Sequence, residues 1–415
     1  MKKILIFPLT VLLLLLFSLP VLADAQLTMN GRDYKTGSSL ILQDGLSFAA
    51  SDVVAGALGC DIAVQGDAVT LQENDTALTF TAGSKTALVN GQEKQMPAAP
   101  FLKGNQVFLP LRFVCESLGA EVSWNDPDKK VLISYIETRD SLTAEELILK
   151  TSEKMVEANS YKMKFDMDMN MDVAAPDQGA AGEGMKIATS SHGEAWVQYD
   201  PLLMYMVQNA SIPESQGVPA TEIKSEMVLK DNSMYMTMPE VGWVKMDLAG
   251  LDIQQLMSKS MDPAATMKVL KEAGVSTALA NDREVNGQSY WVINMAMGKE
   301  MLESDYFQQM VQSLSSAAAN GMDMTSLLDS LDFDFNVSTW VNQDTLLTDY
   351  MDMKGTMALN LDLPEQEPAA KVTMNMEMDG KYSISDYGTA FEIPDVSGAV
   401  DFNTVVSQQV TAVQE

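Results

Sequence analysis

Residues 161 to 173 alternate strictly between polar and apolar side chains. Every second residue is lysine, aspartate or asparagine, and the apolar positions between them are Tyr161, Met163, Phe165, Met167, Met169, Met171 and Val173. Successive side chains of a β-strand point to opposite faces of the sheet. The alternation therefore predicts a long strand with one polar face and one apolar face.

The same alternation recurs in segments 333–337, 351–363 and 372–378. Several long strands of this kind predict a broad antiparallel sheet with an apolar face. Methionine dominates that face, since 28 of the 31 methionines lie between residues 155 and 378. We expect the following side chains to line an apolar concavity: Met163, Phe165, Met167, Met169, Met171, Met353, Met357, Met374 and Met376.

Three interpretations of this methionine enrichment compete. Methionine fills irregular gaps in a core, and it also lines adaptable pockets for apolar ligands. Thioethers bind Cu(I) as well, which makes Met-x-Met segments such as 167–171 and 374–378 candidate copper ligands. Strand geometry argues against copper, because residues i and i+2 lie about 6.5–7 Å apart and need ligands from adjacent strands.

Charge and motif content limit the function classes. A net charge of −30 argues against binding to nucleic acid or to a bare anionic membrane. The single histidine, His192, excludes a multi-histidine metal site, and no phosphate-binding glycine loop or Gly-x-Ser-x-Gly element is present. Asp332 and Asp334 lack the spacing of a calcium loop and are expected on the polar face of a strand. We therefore expect no enzyme activity, no metal and no cofactor.

The first 25 residues have the pattern of a cleavable signal peptide. Lys2 and Lys3 precede an almost wholly apolar stretch that ends in Ala23-Asp24-Ala25. The alternative is an uncleaved membrane anchor. Export predicts a secreted or cell-surface protein. In an oxidising compartment Cys60 and Cys115 either pair or serve as small buried apolar side chains.

Residues 26–136 contain an internal repeat with an offset of about 60 residues. Asn30-Gly31 corresponds to Asn90-Gly91, and Leu58-Gly59 corresponds to Leu118-Gly119. Each copy predicts a strand, an Asn-Gly turn, further strand, a helix ending at glycine and a strand pair. Helices are expected near 50–58 and 110–118, and the two units should share one α+β core.

An ordered series of motifs in the second copy closely resembles the copper amine oxidase N-terminal-like domain of exported Gram-positive proteins. The motifs are Val89-Asn90-Gly91, Val107-Phe108-Leu109-Pro110-Leu111-Arg112-Phe113-Val114, Ser117-Leu118-Gly119-Ala120, Val122-Ser123-Trp124 and Lys130-Val131-Leu132-Ile133. The first copy departs from them, with Ala49-Ala50-Ser51-Asp52 in place of Leu-Pro-Leu-Arg. The resemblance implies a non-catalytic accessory module that could contact cell-wall polymer. We expect Arg112 to pair with a local carboxylate.

A linker at 137–143 leads into residues 144–400, with a tail at 401–415. Thr143 and Glu146 have the spacing of a capping box, which predicts a helix to about Ala158. Further strands are predicted near 185–199, 202–209, 222–230, 233–238, 242–247, 288–297, 332–342, 346–363 and 370–384, and helices near 250–258, 263–273 and 298–318.

This second part is similar to the LolA/LppX-like lipoprotein-carrier superfamily. The resemblance rests on the helix entering a long strand and on Gly242-Trp243-Val244-Lys245-Met246, Ser289-Tyr290-Trp291-Val292-Ile293 and Ser338-Thr339-Trp340-Val341-Asn342. It implies a curved antiparallel sheet around helices, with a concavity that accepts lipid.

The sequence thus predicts an α+β protein: a small duplicated α+β module, then a large curved antiparallel β-sheet (half-barrel) packed on helices. The main functional expectation is an exported, non-catalytic binding protein of the bacterial cell envelope that holds a lipid or other apolar small molecule. The alternative is a structural or adhesive surface protein that contacts the wall through its first domain. The sequence leaves the ligand and the oligomeric state open.

Overall fold

The structure is a computed structural model of the 415-residue chain. It describes residues 26–30, 32–34, 40–174, 185–213, 220–248, 262–304, 307–308, 330–363, 370–402 and 404–405. The predicted signal peptide, the predicted helix 250–258 and most of the predicted tail lie outside the described residues. In the part of the chain that is described, no helix has both the length and the apolar character needed to cross a bilayer.

Most of the described chain is β-structure, with a few short helices. The strands of the first module, in chain order, are β1 (Gln26–Met29), β2 (Arg32–Tyr34), β3 (Leu40–Gln43), β4 (Leu46–Ala50), β5 (Asp61–Gln65), β6 (Ala68–Glu73), β7 (Thr76–Thr81), β8 (Thr86–Val89), β9 (Gln92–Gln95), β10 (Phe101–Lys103), β11 (Gln106–Pro110), β12 (Glu121–Asn125) and β13 (Lys130–Ser134). Its helices are α1 (Ser51–Leu58) and α2 (Leu111–Ser117).

These strands form three small sheets, ordered β12-β13-β1-β2, β10-β11-β4-β3 and β5-β6-β7-β8-β9. One hydrophobic core joins both halves of the module, with Leu58, Phe80 and Leu109 each fully buried. The predicted Asn-Gly turn joins β8 to β9, where Asn90 and Gly91 have φ of 51° and 77°. Positive φ at both central residues suits a two-residue hairpin turn.

The second module contains one sheet of twelve strands. Its described strands are β14 (Ser160–Ala174), β15 (Met185–Gln198), β16 (Leu203–Ile212), β17 (Thr221–Lys230), β18 (Ser233–Met238), β19 (Gly242–Asp247), β20 (Ser276–Val285), β21 (Gln288–Gly298), β22 (Leu331–Asn342), β23 (Thr348–Leu363), β24 (Ala370–Ser385) and β25 (Val400–Asp401). Their order is β20-β21-β22-β23-β24-β14-β15-β16-β17-β18-β19-β25. All neighbours pair antiparallel except β19 and β25.

Helix α3 (Ala144–Ala158) begins at the predicted capping box. The Thr143 hydroxyl accepts from the Glu146 backbone N–H, and the Glu146 carboxylate accepts from the Thr143 N–H. The buried side of α3 carries Leu147, which packs with Ile293 and Trp291 of β21. This helix therefore covers the β20–β22 end of the sheet.

Two secondary-structure predictions need correction or restriction. Strand β20 was not predicted, because Ser-Thr-Ala-Leu-Ala-Asn-Asp-Arg-Glu-Val lacks a period-two pattern and its pairing shifts between Ala280 and Arg283. Of the helices predicted at 263–273 and 298–318, the structure describes α4 (Pro263–Glu272) and only a short α5 (Glu300–Glu303), and residues 309–329 lie outside its description.

A polar interface joins the two modules at β20. Both terminal guanidinium nitrogens of Arg283, Nη1 and Nη2, donate to the carboxylate of Asp61 on β5. The Asn281 side-chain amide also donates to Asp61, at 2.8 Å. Burial alone would raise the pKa of Asp61, but the hydrogen bonds from Arg283 and Asn281 hold it below its usual value. Gly59 packs so closely that an added Cβ would lie 1.9 Å from the Leu279 carbonyl oxygen. The first module is therefore fixed to the edge of the large sheet.

Candidate functional site: the methionine face of the large sheet

Strand β14 has the two-faced character that its sequence predicts. Asp168 is exposed and accepts a 2.6 Å hydrogen bond from the Ser190 hydroxyl on β15. On the other face Phe165 is buried and Met169 is half-buried. The two faces of this strand therefore differ in both chemistry and environment.

The register of the sheet extends the apolar face across its neighbours. Met169 lies opposite Met378 of β24, and the next row is Met171, Met376 and Met357. Residues directly opposite each other in an antiparallel pair point to the same side. We call this surface the methionine face; it includes all nine predicted residues: Met163, Phe165, Met167, Met169, Met171, Met353, Met357, Met374 and Met376.

The methionine face continues through the second half of the sheet. Its further members include Met204, Met206, Met227, Met234, Met236 and Met246. At the opposite end, the same side carries Ile293, which lies under helix α3. Helix α3 thus covers one end of a surface that runs across the whole sheet.

Methionines differ in burial between the two modules. Among the described residues, Met29 and Met96 of the first module are 3% and 4% exposed. All described methionine side chains between 155 and 378 are only partly buried. The methionine face therefore keeps accessible apolar surface, unlike the closed core of the first module. Contiguous accessible apolar surface is typical of ligand grooves and interaction sites.

Aromatic rings lie across glycines on this face. A Cβ added to Gly193 would lie 2.6 Å from Phe165 Cζ and 2.3 Å from the Val207 carbonyl oxygen. A Cβ added to Gly355 would lie 2.1 Å from Phe335 Cδ1. Glycine in a strand permits such close approach and often marks a bend in a sheet. These pairs leave no room for a side chain at either glycine.

The opposite face of the sheet carries the charged side chains, together with aromatic rings such as Trp196 and Tyr205. Lys162 contacts Glu194 at 2.9 Å, and its ammonium group lies 4.8 Å from the ring centroid of Trp196. The hydrogen bond from Lys162 lowers the pKa of the Glu194 carboxyl. Charge is thus confined to one side, and the methionine face is left apolar.

A cavity of about 410 Å³ lies where helix α1 meets the edge of the large sheet. Its wall combines Asp52 of the first module with Asn294, Asp334 and Lys354 of the second. Met295 of the methionine face also borders it. Asn294, Asp334 and Lys354 alternate with the methionine-face positions of their strands, so the cavity lies mainly on the polar side of the sheet.

A groove of about 320 Å³ lies on the surface of the first module, lined in part by Trp124, Phe113 and Arg112. Arg112 donates to the Val122 carbonyl oxygen at 2.6 Å and contacts Glu116 at 3.4 Å. The predicted pairing of Arg112 with a local carboxylate is therefore confirmed.

Cys60 and Cys115 are free and buried in the first module. The Cys60 thiol contacts the Leu58 carbonyl oxygen at 3.9 Å, and burial raises the pKa of both thiols. The arrangement corresponds to the second alternative, two small buried side chains, and pairing between them stays a prediction.

No group of three or more histidine, cysteine or acidic side chains suited to a metal ion occurs among the described residues. Methionine thioethers could also bind a metal ion. Met171, Met376 and Met357 lie in one row on three adjacent strands, so their sulfurs could approach one Cu(I) ion more closely than two methionines of a single strand. Cu(I) therefore stays an alternative ligand that binding measurements must address.

Two family profiles match the chain. Residues 28–171 match the copper amine oxidase N-terminal domain, which confirms the first resemblance. Residues 143–397, more than half of the chain, match a family of unknown function, DUF6612. The chain belongs to this family. Both matches include residues 143–171, so each extends across helix α3 and most of β14.

Solved structures with some similarity to the chain include two mycobacterial proteins. LprF from Mycobacterium bovis has 11% identity and a TM-score of 0.29, with 61% of this chain and 96% of LprF covered. The lipoprotein LppX from Mycobacterium tuberculosis has 10% identity and a TM-score of 0.25, with 60% of this chain and 98% of LppX covered. LppX is a namesake of the superfamily that the second part of the sequence resembles. TM-scores this low carry no argument about ligand or activity. No curated protein sequence matches the chain.

Proposed function

We propose that the chain is an exported, non-catalytic binding protein of the bacterial cell envelope, whose second module holds a lipid or other apolar molecule on the methionine face. The observation that carries this proposal is the partial burial of the methionines that form the methionine face, along one continuous register. Methionines that only filled a core would be buried like Met29 and Met96.

Thioether side chains suit an apolar ligand of variable shape. Methionine is unbranched and polarisable, so a row of methionines can repack around acyl chains of different form. Covering apolar surface contributes roughly 25 cal/mol per Å². A ligand that covers several half-buried methionines thus gains affinity without any charged contact.

The large sheet curves into a half-barrel with the methionine face inside. The close approach of Phe165 to Gly193 and of Phe335 to Gly355 supports this shape, because both glycines allow ring or backbone contact where a Cβ would clash. Curvature of this kind would gather the methionines around one ligand.

The domain organisation follows from the sequence predictions. Residues 1–25 direct export, residues 26–136 form a duplicated accessory module, and 137–143 link it to residues 144–400. The matching order of elements supports the duplication: β3-β4-α1-β5-β6 recurs as β10-β11-α2-β12-β13.

A fluorescent fatty-acid titration of residues 26–415 tests the proposal. Met169→Asp places a charge on the methionine face, and we expect it to weaken probe binding at least about tenfold, since burying an uncompensated charge costs several kcal/mol. Asp168→Asn changes the neighbouring residue on the polar face and should bind like wild type. Met169→Gln is the milder second variant if Met169→Asp does not fold.

Three results would contradict the proposal: no saturable probe binding, equal weakening by Met169→Gln and Asp168→Asn, or tight Cu(I) binding by a protein that ignores the probe. Circular dichroism spectra of each variant establish that it is folded before titration.

A surface-adhesion function is the second candidate. The groove that Trp124, Phe113 and Arg112 line favours it, because an exposed aromatic ring beside a charged side chain can contact a polymer. Trp124→Ala should then release the full chain from purified cell wall in a pull-down, whereas Met169→Gln should not.

A further inference from the structure

The methionine face contains a small polar patch, formed by Ser191, Gln208 and Ser225 on adjacent strands. Gln208 of β16 lies directly opposite Ser225 of β17. Ser191 of β15 lies between Met167 and Ala210, one step along the same face. We call these three residues the polar island.

The three side chains have no hydrogen-bond partner within the described structure. None of their polar atoms donates or accepts a side-chain hydrogen bond there, and none belongs to the fully enclosed unpaired atoms, which are Glu137 Oε2 and Thr151 Oγ1. Their polar atoms therefore remain accessible from the methionine face. In the free protein water can hydrogen-bond to these accessible groups. A wholly apolar ligand that covered them would displace this water and leave the amide without a partner, which is costly. A ligand with a polar group at this position avoids that cost.

The surroundings of the polar island are uncharged and mostly apolar, with Thr189 as a further hydroxyl two residues before Ser191. Met167 of β14 pairs with Ser191. Met206 and Met227 form the neighbouring row of side chains on one side of Gln208 and Ser225, and Ile223 lies in the row on the other side. The charged residues of these strands, such as Lys224 and Glu194, alternate onto the opposite face. A carboxylate or phosphate would find no cation here to offset its desolvation. Hydroxyl and amide groups both donate and accept hydrogen bonds, which suits a neutral head group.

We propose that the polar island binds the uncharged hydrogen-bonding head of an amphiphile, such as a glycerol ester, while the acyl tail lies along the methionine face. This inference rests on the proposed function and names the ligand class for the same surface. From Met167 to Val173 strand β14 extends about 20 Å at roughly 3.4 Å per residue. One leaflet of a bilayer core is about 15 Å thick, so an ordinary acyl chain fits this length.

The test is competition for the bound fluorescent fatty-acid probe by three C18 ligands at pH 8: monooleoyl glycerol, oleate and octadecene. Wild-type protein should bind monooleoyl glycerol most tightly. Gln208→Met preserves the side-chain volume and removes the amide. It should weaken binding of monooleoyl glycerol about tenfold, the equivalent of one lost hydrogen bond, and leave octadecene unchanged.

Asn209→Met is the matched control, because Asn209 is the exposed neighbour on the opposite face of β16. It should leave all three affinities unchanged. Ser225→Ala provides a second, smaller deletion within the polar island and should show the same selectivity as Gln208→Met. Removing an unpartnered amide should also keep or raise the melting temperature of Gln208→Met, so loss of folding does not confound the result.

The outcomes separate this inference from the proposed function. Failure of the probe to bind would overturn both. Probe binding with oleate preferred over monooleoyl glycerol, or an equal loss of octadecene and monooleoyl glycerol in Gln208→Met, would overturn the neutral-head assignment alone.

Discussion

Glu73 is a buried carboxyl group at the end of strand β6, with 5% of its surface exposed. Burial raises its pKa to about 7, the hydrogen bond from the Tyr135 hydroxyl opposes the rise, and the nearby Glu137 carboxylate adds to it. The folded protein therefore keeps Glu73 protonated at pH values at which the unfolded chain has lost that proton.

The direction of the pH effect follows from proton binding. Between the ordinary pKa of 4.5 and the folded-state value of about 7, the folded state binds more protons than the unfolded state. The free energy of unfolding therefore falls as pH rises through this window and is level above it. Each pH unit of the window corresponds to about 1.4 kcal/mol, so the loss reaches at most about 3 kcal/mol.

Glu73→Gln should remove this dependence, because glutamine has no proton to lose and its carbonyl oxygen still accepts from Tyr135. We expect the variant to be within about 1 kcal/mol of wild type at pH 5 and up to about 3 kcal/mol more stable at pH 8. Urea unfolding followed by tryptophan fluorescence measures both values. Glu93→Gln, at an exposed position of β9, is the control. If Glu73→Gln loses as much stability between pH 5 and pH 8 as wild type, Glu73 is not the group that causes the pH dependence.

Two further predictions concern the architecture. Gly193→Ala should lower the free energy of unfolding by about 2 kcal/mol or more, since its Cβ would clash with backbone and ring atoms, whereas Gly398→Ala, which meets nothing within 4 Å, should be neutral in the same urea titration. Arg283→Leu should cost about 1 kcal/mol or less, because its ion pair with Asp61 is partly exposed. It should also speed proteolytic cleavage near 137–143, and unchanged cleavage would mean that the pair does not hold the modules together.

The alternating strands were predictable because one face of each is polar and the other apolar. Strands β18 and β19 have the predicted bounds, and β14 has the predicted faces. The period-two signal survives here because polar or aromatic side chains on one face alternate with methionines or other apolar side chains on the other.

Strand β20 was not predictable by the same reasoning. Its side chains contact helix α3 on one side and the first module on the other, so Leu279 and Ala280 are both buried although they are adjacent in sequence. Contacts on two sides remove the alternation, and the contact of Arg283 with Asp61 joins residues that no local pattern relates.

The candidate site was predictable in part. Methionine spacing within each strand predicted which side chains share a face. The polar island was missed, because Ser191, Gln208 and Ser225 lie on three strands and meet only through the register. The signal that could have found them is a polar residue at an expected apolar position, as at Gln208 after Met204 and Met206.

Methionine-methyl NMR gives the most direct test of ligand binding on the methionine face. Protein labelled with ¹³C at the methionine methyl groups would be titrated with spin-labelled stearate, and signals would be assigned by Met→Leu substitution. We predict strong broadening of the signals of Met167, Met169 and Met376, while those of Met29 and Met96 in the first-module core stay sharp. Equal broadening of all methionines, or none at saturating ligand, would contradict it.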